Sequence, residues 1–308
     1  MLQGTVYKST GKHYWVKTSK GLFKCHLRGR NRIVNQNNTN PIAVGDFVVI
    51  KANENQEALL GVIHSKHPSK NFLSRKSTQQ HQKRQIIASN IDNALIIITL
   101  KTPKTYTEFI DRCLVNLEFQ KINSCLVFNK LDIYDVQEQS EVDQLMSMYR
   151  NIGYRCFKVS AKTGLNIQSL KDFMSNKLHL LIGNSGVGKS SLINSMAPSL
   201  NLKTTHLTSK THVGRHTTRK TQIFELVQNI RIIDSPGIKG FGLIDIPKKE
   251  IKHQFPEFLK RSHQCSYSDC WHINEPNCHV LEAVHSGEIA SSRYNSYLSM
   301  LQTDLKYR

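Results

Sequence analysis

Apolar and polar positions alternate in short runs near the start of the chain: Leu2 to Lys8, Tyr14 to Thr18, Gly21 to Leu27, Asp46 to Ala52 and Leu59 to Ile63. Period-two alternation bounded by Gly, Asn and Pro predicts strands, and five short strands in so small a segment predict a closed OB-type β-barrel over residues 1–67. The pattern lapses at 68–89, where Lys, Arg, Ser and Gln follow one another with little periodicity; this stretch reads as a basic linker. Ala94 to Leu100 is almost continuously apolar, the mark of a strand buried on both faces. Beyond it, helix-like and strand-like segments alternate: Tyr106 to Phe119 helical, Ile122 to Phe128 a strand, Glu141 to Asn151 helical, Tyr154 to Val159 a strand, Ile167 to Asn176 helical. His179 to Gly183 then reads as a strand and Ser190 to Met196 as the start of a helix. Thr221 to Val227 and Ile230 to Asp234 form a hairpin around Gln228-Asn229. Such alternation over 90–242 predicts a doubly wound α/β sheet with its ligand at the strand ends. After Gly242 the character changes again, and Pro247 to Phe258 and Ala283 to Lys306 read as helices of a third domain, 243–308.

Charge sharpens this division. The 308 residues carry 42 Lys and Arg against 23 Asp and Glu, a formal charge of +19. Residues 1–85 hold 15 basic and 3 acidic side chains, whereas residues 241–308 hold 8 of each. An excess concentrated at one end suits a polyanion-binding module better than a general surplus for solubility. Lys24, Arg28, Arg30 and Arg32 cluster around one strand end and loop of the barrel, a common platform for single-stranded nucleic acid. Tyr14, Trp15 and Phe23 are either stacking partners for bases or barrel core, and core is the preferred reading for each. No apolar run approaches the length of a membrane span, and Met1 to Lys12 lacks the apolar centre of a signal peptide. With Cys25, Cys113, Cys125 and Cys156 scattered, no disulfide framework is indicated, and a reducing cytoplasm is the expected setting.

Within 90–242 lie five segments with the chemistry of a guanine-nucleotide site. Gly183-Asn184-Ser185-Gly186-Val187-Gly188-Lys189-Ser190, followed by Ser191, is a Gly-rich turn between strand and helix whose backbone N–H groups cradle phosphates. Lys189 is positioned to reach the β- and γ-phosphates, and the Ser190 hydroxyl to ligate Mg2+. Asn129-Lys130-Leu131-Asp132 follows a strand: Asp132 accepts from the guanine N1 and N2 donors, Asn129 fixes the loop, and the Lys130 stem lies on the base. One strand and helix further on, Ser160-Ala161-Lys162 places the Ala161 N–H for the guanine O6. Asp234-Ser235-Pro236-Gly237 ends the hairpin, with Asp234 reaching Mg2+ through water and the Gly237 N–H sensing the γ-phosphate. Thr217 or Thr218 closes over Mg2+; the adjacent pair leaves the choice open, with Thr218 preferred. Ile238 stands where many GTPases carry a Gln that orients water, and an aliphatic side chain cannot do so. Slow hydrolysis is therefore expected of the isolated protein. His216 is the candidate within the chain for positioning water, and a solvated loop histidine is the alternative. The base-reading segments precede the phosphate loop, the reverse of the usual order, as in a circularly permuted GTPase.

Cys265, Cys270, His272 and Cys278 form a C-x4-C-x-H-x5-C group. Three thiolates and an imidazole make a closed tetrahedral set for structural Zn2+, with His263 and His279 as less favoured substitutes for His272.

Barrel, permuted GTPase and Cys3His module together resemble the ribosome small subunit-dependent GTPase A (RsgA) family across essentially the whole chain. Gly214-Arg215-His216-Thr217-Thr218, Asp234-Ser235-Pro236-Gly237-Ile238 and Glu275-Pro276 before Cys278 carry the likeness. The chain differs in Asn35 to Asn40 and in its Ser/Gln-rich linker. The resemblance implies a GTP phosphohydrolase that uses GTP/GDP, Mg2+ and one structural Zn2+. It implies binding to the small ribosomal subunit and its rRNA late in assembly, stimulation by that subunit and departure after hydrolysis. The family has an aliphatic residue at the position of Ile238 and a histidine, proposed to act in hydrolysis, at that of His216. A monomer is expected. The alternative function is an RNA-binding switch whose nucleotide state matters and whose turnover is negligible.

Overall fold

A computed structural model describes residues 1–27, 41–53, 59–76, 84–201, 221–234 and 246–302. Five strands, β1 (Leu2–Ser9), β2 (Tyr14–Thr18), β3 (Gly21–Leu27), β4 (Phe47–Asn53) and β5 (Leu60–Lys66), run in the order β1-β2-β3-β5-β4, and β4 returns to β1. Closure removes both edges of the sheet. Alternate side chains, among them Val6, Val16, Val48, Ile50 and Ile63, fill the interior. Tyr14 and Phe23 belong to that core, whereas Trp15 is half-buried with the Lys8 ammonium 5.2 Å from its ring centroid. Arg28, Arg30 and Arg32 lie outside the described residues; Lys24 is exposed on β3.

The stretch expected as a linker contains a hairpin, β6 (Phe72–Lys76) paired with β7 (Arg84–Ser89). Its apolar anchors, Leu73, Ile86, Ile87 and Ala88, are buried, and the polar residues between the strands dilute their signal in the sequence. Asp46 fixes the junction of barrel, hairpin and sheet. Its fully buried carboxylate accepts from Ala43 N at 2.8 Å, Ser69 Oγ at 2.9 Å and Ser89 Oγ at 2.5 Å, and pairs with Lys66 Nζ at 2.7 Å.

The central sheet comprises β8 (Asn93–Ile98), β9 (Asn123–Phe128), β10 (Arg155–Lys158), β11 (Leu178–Ile182), β12 (Gln222–Glu225) and β13 (Arg231–Asp234), in the order β10-β9-β8-β11-β13-β12. All pairings are parallel except β12 with β13. The ladder continues from β12 into β1 of the barrel through Lys8 and Gln222, supported by the Tyr7 hydroxyl donating to Glu225. Pleating sends Ala94, Ile96 and Ile98 to one face, with α1 (Thr107–Phe119) and α2 (Val136–Ile152). Leu95 and Ile97 go to the other, with α3 (Ile167–Met174) and α4 (Lys189–Met196). The doubly wound α/β fold is thus present, with two cores on either side of one sheet. Helix α2 begins well before the expected Glu141 because Asp135 and Glu138 form a reciprocal capping box. At Gln228-Asn229 the expected turn is a single 3-10 turn, Val227–Asn229, with both residues at positive φ.

The last module differs from the two long helices expected. Pro256 opens its own helix, so the first region divides into α5 (Lys248–Ile251), a 3-10 turn Lys252–Gln254 and α6 (Pro256–Ser262). Gly287, at φ +80°, lies between α7 (His279–His285) and α8 (Ser291–Gln302). Phe255, Phe258 and Tyr297 form an aromatic core that extends to Val115 of α1, so the module shares apolar surface with the central domain. Arg293 of α8 is fully buried at this joint; its Nη1 donates to Asp111 of α1 and its Nε to Glu257 of α6, both at 2.7 Å. Tyr149 of α2 donates to the same Asp111 oxygen at 2.8 Å. Removing one partner strands two buried carboxylates, so Arg293→Met is expected to cost about 3–5 kcal/mol in urea unfolding of the whole chain. A variant as stable as the parent would show that the joint tolerates apolar packing.

Candidate nucleotide site and metal centre

The loops following β8, β9, β10 and β11 emerge at one end of the sheet, as the parallel register requires: Ile98 is opposite Phe128, Lys158 opposite Phe128, and Ile182 opposite Ile96. That brings Asn129 to Asp132 and Ser160 to Lys162, the segments expected to read the base, beside the Gly-rich loop. Asn129, only 1% exposed, joins them: its Nδ2 donates to the Val187 carbonyl at 2.9 Å, and its Oδ1 accepts from Ala161 N at 3.1 Å. The Ala161 N–H, expected to face a base oxygen, is therefore directed to Asn129, because the buried amide oxygen must be paired. Asp132 is exposed, and its Oδ1 accepts from Ser160 Oγ at 2.6 Å. Ser160 Oγ in turn accepts from Thr163 N at 3.2 Å, so one hydroxyl aims the carboxylate and ties down its own loop. Lys130 adopts φ +70°, and its ammonium bonds the Thr102 carbonyl; desolvation lowers its pKa, opposed by the Asp132 charge. Lys162 is exposed at the mouth.

In the phosphate loop, Gly183, Gly186 and Gly188 all have positive φ. Gly188 caps α4 at φ +97°, and a Cβ there would lie 2.4 Å from Asn129 Nδ2. Lys189 Nζ donates to the carbonyls of Gly183 at 2.6 Å and Asn184 at 2.8 Å, which holds its ammonium within the loop. Ser190 and Ser191 follow in the first turn of α4, half-buried. Ser185 is exposed and Asn184 half-buried, while Val187 is buried. Strand β13 ends at Asp234 and pairs directly with β11, the strand that leads into this loop. His216, Thr217, Thr218, Ser235, Pro236, Gly237 and Ile238 lie outside the described residues.

Gly188→Ala is expected to strain a backbone position that costs an L-residue about 1–2 kcal/mol and to push Asn129 off Val187. Affinity for a fluorescent GTP analogue should fall at least about tenfold with the secondary structure unchanged. Unaltered affinity would mean that Asn129 can yield without consequence.

Tyr134 was not legible as part of the site. Its hydroxyl donates to the Asn129 carbonyl at 2.9 Å and accepts from Leu100 N at 2.8 Å, locking the turn after β9 to the end of β8. An aromatic two residues beyond Asp132 is its only trace in the sequence, and such a residue more often reads as core.

The ligand atoms of Cys265, Cys270, His272 and Cys278 lie within 4.8 Å of one another. Cys265 Sγ to Cys278 Sγ is 3.9 Å, close to the edge of about 3.8 Å for a tetrahedron of thiolates around zinc. His272 Nδ1 lies 3.3 Å from Cys278 Sγ and 3.8 Å from Cys265 Sγ. Glu275 organises the loop by accepting from the N–H groups of Trp271, Ile273 and Asn274. Burial holds the His272 imidazole neutral, with a pKa near 4, and pushes the Cys270 thiol up to about 12, so a cation is needed to keep that thiol ionised. The donor set fits a closed metal site. His263 and His279 are not among the grouped ligands.

An Asn-Lys-x-Asp loop reached before a Gly-rich loop, both on one doubly wound sheet, is the arrangement of a circularly permuted GTPase. Residues 66–244 match the RsgA GTPase family and residues 3–60 the RsgA N-terminal domain, and the chain belongs to the RsgA GTPase family. It is accordingly a GTP hydrolase that uses guanine nucleotide with Mg2+. The "Small ribosomal subunit biogenesis GTPase RsgA" of Christiangramia forsetii is 45% identical over 98% of this chain and 96% of its own length. The protein of that name from Bacteroides fragilis is 41% identical over 100% of this chain and 99% of its own. Among solved structures, YjeQ from Thermotoga maritima superposes with a TM-score of 0.81 at 34% identity, covering 100% of this chain and 99% of the other. YloQ, described as a circularly permuted GTPase, gives 0.74 at 26%, covering 98% and 94%. No helix of the described residues is long and apolar enough to cross a membrane.

Proposed function

We propose that this chain binds the small ribosomal subunit during its biogenesis and hydrolyses GTP in response to that contact. Its end-to-end likeness to relatives named for small-subunit biogenesis carries the reading, because barrel, GTPase and Cys3His module are all included. The basic barrel binds rRNA, the protein acts as a monomer in the cytoplasm, and one Zn2+ is held by Cys265, Cys270, His272 and Cys278. Asp132 reads guanine, framed by Asn129, Lys130, Ser160, Ala161 and Lys162. Residues 183–191 hold the phosphates, with Lys189 exchanging its loop carbonyls for phosphate oxygens, a charge-assisted and therefore stronger contact. Ser190, Asp234 and Thr218 or Thr217 surround Mg2+, the Gly237 N–H faces the γ-phosphate, and His216 positions the attacking water in place of a Gln.

The test is GTP turnover by the zinc-loaded protein alone and with purified small subunits, large subunits or unrelated RNA, alongside His216→Ala. Acceleration by small subunits alone is expected, and His216→Ala should lose it while binding GTP normally. Acceleration by no partner would leave an RNA-binding switch with negligible turnover, and acceleration by another RNA would redirect the assignment of substrate.

A further inference from the structure

The N-terminal ends of the parallel strands form the end of the sheet opposite the nucleotide loops. Arg155 opens β10, Asn123 opens β9, Asn93 opens β8, and Lys177 immediately precedes β11. Around them lies a cleft of about 650 Å³, bounded on the far side by Pro256 of α6. Three cations line it, Lys121, Arg155 and Lys177, against one acid, Glu118. All three are exposed, and among the described residues none of them is in an ion pair. The Phe173 ring braces two of them, with the Arg155 guanidinium 5.4 Å and the Lys177 ammonium 5.3 Å from its centroid. Cations held on an aromatic wall lose little further freedom when they engage an anion.

Asn93 in the same wall is 6% exposed, and its Nδ2 has no hydrogen-bond partner; Ser124 Oγ also has none. A buried amide N–H without an acceptor is uncommon, and an oxygen-rich ligand is what would satisfy it. Unpaired cations, a stranded donor and a polar, open cleft fit tetrahedral oxyanions rather than an apolar compound.

We propose that this cleft is a phosphate-binding site at the end of the sheet opposite the GTP site, its phosphates supplied by RNA or by a small phosphorylated solute. The RNA source rests on the small-subunit reading; the phosphate chemistry does not. The experiment uses full-length, zinc-loaded protein saturated with a nonhydrolysable GTP analogue and Mg2+, so that the nucleotide loop is filled and the subunit-binding state is kept. Lys121→Glu/Lys177→Glu is compared with the parent and with Lys248→Glu/Lys249→Glu, an equal charge change outside the cleft. Two ligands are titrated: purified small subunits across a range of salt concentrations, and inorganic pyrophosphate followed by calorimetry.

If RNA fills the cleft, the cleft variant loses about two units from the slope of log affinity against log salt, while the Lys248/Lys249 control keeps the parent slope. If a small solute fills it, pyrophosphate binds the parent and the control but not the cleft variant, and the subunit slope is unchanged. A cleft variant matching the parent in both titrations, or a control that loses as much as the cleft variant, overturns the proposal. Parent protein whose GTP turnover is indifferent to small subunits, yet whose pyrophosphate binding requires Lys121 and Lys177, would sink the small-subunit reading and leave the cleft standing.

Discussion

Asp132→Asn is expected to lower GTP affinity by on the order of 10³- to 10⁴-fold and to create binding of xanthosine triphosphate. A carboxylate accepts from both the N1–H and the 2-amino group of guanine; an amide turns one of those acceptors into a donor. Lost charge-assisted bonds at about 1.5–3 kcal/mol, and a donor left facing a donor at about 1–3 kcal/mol, account for that range. Xanthine carries an oxygen at position 2 and accepts from the new NH2. The side chain should stay in place, because the Ser160 hydroxyl that donates to Asp132 at 2.6 Å can donate equally to an amide oxygen. Parallel titrations with fluorescent GTP and xanthosine triphosphate measure the exchange, and an unchanged preference for GTP would remove Asp132 from the base-reading role.

On the proposed zinc assignment, loss of the metal is the second large effect. Structural zinc contributes about 10–16 kcal/mol to small metal-folded peptides, as much as the whole stability of an ordinary domain. Cys278→Ser, or a strong chelator, should therefore reduce metal content from one zinc per chain to none and unfold residues 246–302. Unfolding would carry Arg293 away from Asp111, loosening α1 as well. Trp271, between Cys270 and His272 in the loop, reports the change by its fluorescence. Acidification should act in the same direction. The Cys270 thiol lies at about 12 without a cation, so at neutral pH it releases its proton only when metal binds, whereas His272, near 4, is already neutral. Apparent zinc affinity should fall as the pH drops from 7 to 5, with up to three protons taken up per zinc lost. A pH-independent affinity would argue against thiolate ligation.

Much of this molecule is legible in its sequence because the informative residues are local. The Gly-rich turn, Asn129 to Asp132, and the Cys3His group each stand out within a few positions. What escaped notice is non-local. Asp46 looks like an ordinary turn acid, yet it binds residues as far away as Ser89. Tyr134 looks like core, yet it fixes Asn129. Arg293 sits in a helix with no distinctive spacing, and only the fold brings it to Asp111 and Glu257. The hairpin at 72–89 was missed because its polar middle outweighs its apolar ends. The early start of α2 could have been read from Asp135 and Glu138, three apart.

The strand order also has a consequence for synthesis on the ribosome. Strand β8 pairs with β9 on one side and β11 on the other, and the contact between Asp92 and Leu178 spans 86 residues. At translation rates of about 5–20 residues per second, the half of the sheet that carries Asn129 to Asp132 emerges several seconds before the strand that covers its apolar edge. During that interval Asn93 to Ile98 is an unpaired, almost wholly hydrophobic edge, the kind of surface on which neighbouring nascent chains pair wrongly. Permutation thus exchanges an early phosphate loop for a long-lived open strand, and slower elongation between residues 129 and 178 should raise the aggregated fraction.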